Sequence, residues 1–188
     1  MLRAGLEAFS AKGFHGASMR TIAAEADTTL SNLYNYFPSK AYLLSQVLTD
    51  TATDLQELLE SRLAETGDAA AAQLDALVAG YVDFIVRSPK ASIVAISEIR
   101  YVEGEQRSEV TAIRDSTETL FRDVVERGRV SGEFATPFAK EAARAVVSLC
   151  SSLSNWYRND GPLGRDDIVE RYSSFARGLV GAGSADPR

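Results

Sequence analysis

Residues 21–40, TIAAEADTTLSNLYNYFPSK, set two short helical segments on either side of a two-residue turn, and that spacing leaves few ways for the segments to pack. Ser18 is placed to cap a helix through Ala26, Asp27 and Thr28 make the turn, and Thr29 is placed to cap a second helix from Leu30 to about Phe37. Ile22, Ala26, Leu33 and Tyr36 are the expected internal contacts, and Ala23 is small enough to let the second helix approach the first.

The remaining chain reads as helix throughout. Leu2, Leu6 and Phe9 put one apolar stripe on a helix over residues 1–12, which Gly13 stops. Ser39 caps a long helix that keeps its period through Tyr42, Leu43, Val47, Leu55, Leu59 and Leu63 to a break at Thr66-Gly67. Further helices are expected from Asp68 to about Arg87, from Ser88-Pro89 to about Val102, from about Glu105 to Arg129, from Thr136-Pro137 to near Asn159, and from about Arg165 to Val180. No run of alternating β-branched residues is bounded by Asn-Gly or Asp-Gly turns, so the fold class is all-α. The division expected is a helix-turn-helix domain over 1–45, a larger helical domain over 46–182 and a fraying tail over 183–188.

Composition excludes several functions. With one cysteine, Cys150, and one histidine, His15, the chain lacks the parts of an internal disulfide and of most metal sites. Cys150 stands among apolar neighbours, which suits an inert buried thiol, and His15 stands alone in a Gly-rich segment where a solvated side chain is the default. There is no Gly-rich phosphate loop and no nucleophile-base pair, so no catalytic residue, metal or cofactor is expected and the protein is not read as an enzyme. No apolar run approaches the roughly 18 residues of a membrane span, and residues 1–12 lack a signal-peptide pattern, which points to the cytoplasm and away from membranes.

The helix-turn-helix reading implies double-stranded DNA as a partner, since the second helix is free to enter a major groove about 12 Å wide. Residues near its start, Thr29, Leu30, Ser31, Asn32 and Asn35, face base edges in that reading. The net charge of −6 argues against nucleic acid at first sight, because phosphate contacts favour Lys and Arg. Its distribution partly answers the objection: Arg3, Lys12, Arg20 and Lys40 against Glu7, Glu25 and Asp27 make residues 1–45 +1, leaving −7 for the rest. Lys40 and Arg20 are the candidate ionic phosphate contacts, and neutral donors supply the remainder.

The stretch GFHGASMRTIAAEADTTLSNLYNYFPSKAYLL resembles the signature of the TetR family of transcriptional regulators from the end of the first helix into the fourth. The resemblance implies about nine helices, a homodimer and repression of transcription. It implies that Tyr34, Tyr36 and Lys40 position the DNA backbone, and that Thr28 through Asn32, with Asn35, include the sequence readers. This chain departs from the pattern at Asp27, where the family usually has glycine, at Leu30-Ser31, which replaces a frequent Lys-Gly pair, and in having no basic arm before the first helix.

Residues 97–110 and 155–182 resemble the C-terminal domains of TetR-type repressors that sense acyl-CoA thioesters, including those of fatty-acid and steroid degradation. A small-molecule effector of that kind has a lipid-like part and an anionic part. Tyr81, Phe84, Arg100, Tyr101, Phe121, Trp156 and Arg158 are the candidate ligand residues, although bundle cores need aromatic residues whether or not a cavity exists. The eighth and ninth helices are expected to form the dimer seam with Val146, Leu149, Leu153, Tyr172, Phe175 and Leu179, residues equally suited to the core of one chain. Effector binding would act through the helix from Ser39 to Glu65, changing the spacing of the two recognition helices. Two readings stand beside this one: a TetR-type regulator of another hydrophobic molecule, and a helical ligand-binding dimer that does not bind DNA.

Overall fold

A computed structural model describes residues 1–183, which form α1 (Leu2–Gly16), α2 (Met19–Glu25), α3 (Leu30–Tyr36), α4 (Lys40–Ala64), α5 (Ala70–Arg87), α6 (Pro89–Ser97), α7 (Gly104–Ser131), α8 (Ala139–Trp156) and α9 (Arg165–Val180). A 3-10 turn, Ile99–Tyr101, follows α6. The described residues contain no strand, only an isolated bridge between Phe134 and Ala182. The all-α expectation holds; the expected tail lies, from residue 184 onward, outside the described residues.

Two compact units divide the chain. The first comprises Met1–Asp54 with Ser88–Arg114, the second Leu55–Arg87 with Asp115 onward. The packing therefore cuts the chain differently from the division at residue 45: Val94, Val102 and Val110 join the same apolar cluster as Phe9, Ile22, Leu33, Leu43, Leu44 and Leu48. α1 and α6 lie side by side in that first unit.

The second unit is a helical bundle in which α5 packs on α8 and α9. Its buried positions repeat at helical spacing: Leu74, Leu77, Val78, Val82 and Ile85 on α5, Ala142, Ala143, Val146, Cys150 and Leu153 on α8, Ile168, Tyr172, Ala176 and Val180 on α9. Buried Asp83 accepts hydrogen bonds from Arg62 Nη2 at 2.8 Å and Arg165 Nε at 2.7 Å, so its charge has two partners where burial alone would be costly. Burial pushes the Cys150 thiol up to about 12, consistent with an inert core residue.

Several boundaries differ from the sequence reading for identifiable reasons. α1 continues past Gly13, which adopts φ 65° and ψ 174° and kinks the helix before its last turn. α5 starts at Ala70, two residues after Asp68, where the Glu133 carboxylate accepts the Ala70 and Ala71 amides. α6 stops at Ser97 and does not reach Val102, since Glu98 turns inward to a partner on α1.

Candidate nucleic-acid interface

The α2–α3 unit is built as its sequence suggests. Ser18 Oγ accepts the Thr21 amide at 3.2 Å, Thr29 Oγ1 accepts the Asn32 amide at 3.1 Å, and Ser39 Oγ accepts the Tyr42 amide at 3.0 Å, so α2, α3 and α4 each begin on a hydroxyl cap. Between them the chain leaves α2 through a Schellman motif: Thr28 N–H donates to Ala23 O at 3.0 Å and Asp27 N–H to Ala24 O at 3.2 Å. Asp27, at φ 49°, occupies the left-handed position of that motif.

Ile22, Ala23 and Leu33 are buried, as expected, and Leu30 and Phe37 pack partly against the same core. Leu30 is half-buried and packs against that core one helical turn before Leu33; Tyr36, expected as an internal contact from spacing and as a backbone-positioning residue from the resemblance, is 63% exposed. Thr29, Ser31, Tyr34, Asn35 and Tyr36 are the exposed residues of α3 and its cap, and Arg20 is exposed on α2. Asn32 is half-buried and donates from Nδ2 to Thr28 Oγ1 at 2.8 Å, so these two side chains orient each other at the start of α3.

Lys40 is also held. Its Nζ donates to Ala17 O at 2.8 Å and lies 4.5 Å from the centre of the Phe14 ring, so the cation braces the α1–α2 joint. The Phe14 ring is stacked on Tyr101 at 5.1 Å and lies 6.2 Å from Phe9, and His15 sets its ring edge-on to Tyr101 at 4.7 Å. The sequence reading missed this cluster; the one local signal was Gly13.

The candidate ligand residues fall in both units. Arg100 and Tyr101 belong to the first unit, with the Arg100 guanidinium 4.9 Å from the Tyr101 ring and Tyr101 committed to Phe14 and His15. In the second unit Tyr81 meets buried Phe121 at 6.4 Å and Phe84 is buried; both phenylalanines are core. Trp156 is 48% exposed, 6.3 Å from Tyr157 and 6.5 Å from Tyr172, and Arg158 is exposed in the α8–α9 connection. A surface cavity of about 390 Å³ is lined by Asp68, Ala70, Glu126, Arg127, Val130, Ser131 and Glu133, none of them among the candidates.

The six candidate seam residues also divide. Val146, Leu153 and Tyr172 are buried within the single chain and therefore offer no surface to a second copy, a correction that follows from α8 and α9 turning those positions toward α5 and each other. Leu149 is half-buried, while Phe175 and Leu179 are 54% and 44% exposed.

A capped, turn-linked helix pair with an exposed polar second helix defines a helix-turn-helix DNA-binding protein. Comparison with known proteins makes the assignment narrower: residues 1–47 match the family described as bacterial regulatory proteins, tetR family, and residues 67–180 match the tetracyclin repressor-like C-terminal domain. The chain belongs to the TetR family and is a transcriptional regulator, not an enzyme. It is 28% identical over 178 residues to the HTH-type transcriptional activator FasR of Mycolicibacterium smegmatis, covering 95% of this chain and 80% of the relative. It is 25% identical over 169 residues to the HTH-type transcriptional repressor KstR2 of Rhodococcus jostii, covering 89% and 82%. Among solved structures, a tetR-family regulatory protein from Rhodococcus RHA1 superposes with a TM-score of 0.90 at 26% identity, covering 97% of this chain and 96% of that one. The structure of AibR in complex with isovaleryl coenzyme A and operator DNA superposes with a TM-score of 0.83 at 20% identity, covering 96% and 98%, a likeness of fold. Among the described residues no helix is long and apolar enough to cross a membrane.

Proposed function

We propose that this regulator acts as a homodimeric repressor that an acyl-CoA-type thioester releases from its operator. The observation that carries the DNA-binding half is the outward face of α3, where Thr29, Ser31, Tyr34, Asn35 and Tyr36 stand exposed on a helix that is capped at its start and packed through Leu30 and Leu33. Ser, Thr, Asn and Tyr supply base and phosphate hydrogen bonds without positive charge, and Arg20 adds an ionic one. In this reading Asn32, oriented by Thr28, keeps its carbonyl and one N–H for a base edge, and Lys40 acts by bracing the joint. DNA binding belongs to residues 1–45, and effector binding and dimerisation to 46–182.

The effector proposal draws on the relatives: KstR2 is a named repressor, and AibR has a fold like this one and is seen with isovaleryl coenzyme A and operator DNA. By linkage, a thioester that binds better to a conformer with the wrong spacing of recognition helices lowers DNA affinity by the same factor. Fluorescence anisotropy on duplex DNA from the protein's own upstream region, repeated with a panel of acyl-CoAs and the matching CoA-free acids, tests both halves. Specific binding released by a thioester but not by its acid supports the reading. Release by the free acid would move the effector to another hydrophobic class, and absence of DNA binding would leave a helical ligand-binding dimer. FasR is named an activator, so a promoter-fusion assay decides the sign of regulation: loss of the regulator raises expression from a repressed promoter and lowers it from an activated one.

A further inference from the structure

The helix-turn-helix family match ends at residue 47, yet the packing unit that contains it also takes in Ser88–Arg114. Separate contacts tie that later segment to α1. Lys90 at the start of α6 forms an ion pair with Glu7. Beyond the end of α6, Glu98 Oε2 accepts the Phe14 amide at 2.7 Å and Tyr101 stacks on the Phe14 ring with an interplanar angle of 14°.

The Phe14 amide is available because Gly13, at φ 65° and ψ 174°, turns the following peptide out of the helical direction. Glu98 is 7% exposed, and its second oxygen accepts Ser97 Oγ at 2.8 Å, so the buried carboxylate is engaged on both sides. The ring it holds in place is the one under Lys40. Lys40 opens α4 and bonds Ala17 O; the next residue, Ser18, caps α2. A continuous set of contacts thus leads from Glu98, through Phe14 and Lys40, to the first turns of both α2 and α4, which flank α3 on either side in sequence.

We propose that Glu98 is a positioning residue for DNA binding: by fixing the Phe14 amide it seats the ring that sets Lys40 against the α1–α2 joint, and so sets the presentation of α3. The proposal rests on α3 being the DNA-reading helix. Glu98 lies far outside the helix-turn-helix in sequence and touches no residue of α3 among its hydrogen bonds. Its effect on DNA must therefore pass through α1.

The test is anisotropy of the full-length protein on a labelled upstream duplex at fixed salt, with amide hydrogen exchange at Phe14 followed in parallel. Glu98→Ala is expected to weaken specific binding about tenfold, the equilibrium equivalent of one lost buried hydrogen bond to a charged acceptor, and to speed Phe14 exchange. Glu98→Gln keeps an acceptor and stays within about threefold of wild type, while Lys90→Ala, which breaks the exposed ion pair between α6 and α1, binds like wild type. Glu98→Asp keeps the charge but shortens the reach by one carbon; it loses binding as the alanine variant does and serves if that variant does not fold. Wild-type affinity in Glu98→Asp and Glu98→Ala, equal losses in Glu98→Gln and Glu98→Ala, or weakened binding with unchanged Phe14 exchange each overturn the proposal. A wild-type protein that binds no duplex overturns the DNA-binding reading and this proposal with it.

Discussion

At the scale of single residues the turn between α2 and α3 is where this chain pays most visibly for its sequence. Asp27 sits at φ 49°, a region that costs a typical L-residue about 1–2 kcal/mol and Asp somewhat less, whereas glycine enters it freely. Asp27→Gly removes that strain but loses more chain entropy on folding, so the net gain is expected near 0.5 kcal/mol, read as a higher urea midpoint. The same change removes a negative charge beside α3, and if α3 enters the groove that charge repels nearby phosphates over a Debye length of about 8 Å. DNA affinity should therefore rise at low salt and converge on wild type as salt increases. A lower midpoint would mean that the Asp27 carboxylate itself holds the turn. The strained position was legible in the sequence because the turn between the Ser18 and Thr29 caps is Asp27-Thr28 and Asp27 stands where the TetR pattern usually has glycine. Tyr36 was not, because a tyrosine at a helix end suits an inner or an outer face equally, and the inward positions here go to Leu30, Leu33 and Phe37.

At the scale of elements, helix starts at Ser18, Thr29, Ser39 and Pro89 were readable from a hydroxyl cap or a proline, whereas α8 begins at Ala139, beyond the expected Thr136-Pro137. What could not be read were ends fixed by residues distant in sequence: Glu98 on Phe14, and Glu133 on the first amides of α5. The Ala71 and Ala70 amides hold the Glu133 carboxyl below the usual carboxylate range. A carboxylate lowered in the folded state contributes stability that is present above its unfolded pKa and is lost as pH falls through the lowered value. Glu133→Gln should therefore reduce Tm at neutral pH and flatten its decline on acidification; parallel Tm curves for the two proteins would assign the acid sensitivity to other groups. One residue further on, the chain folds Phe134 back so that its buried ring covers Gly128 of α7, where an added Cβ would overlap the ring. Gly128→Ala should cost about 1–3 kcal/mol by overpacking, despite alanine's better helix propensity, and thermal unfolding would register it as a lower Tm.

At the scale of the whole molecule, the expected dimer seam was the least legible feature, because an apolar stripe on α8 or α9 looks the same whether it faces its own core or a second copy. Burial separates the two cases. Val146, Leu153 and Tyr172 are already covered within the chain, while Phe175, Leu179 and Trp156 leave apolar surface open on the same pair of helices. The aromatic contacts run on from Trp156 to Tyr172 and from Tyr172 to Phe175, at 6.5 and 6.0 Å, so the exposed rings are continuous with the buried one. If α8 and α9 carry the seam, then Phe175→Glu with Leu179→Glu places charges where a second copy must pack, and the desolvation of both makes association unfavourable. Each side chain is about half exposed in the single chain, so folding should be nearly unaffected. Operator affinity should nevertheless fall sharply, since one chain engages only one of two half-sites about 34 Å apart and loses the gain of simultaneous binding. Sedimentation at several concentrations would show a folded monomer, and anisotropy would show weak binding that a single half-site supports as well as a full operator does. A double variant that stays dimeric with wild-type operator affinity would place the seam elsewhere and leave the Phe175–Leu179 face to another partner.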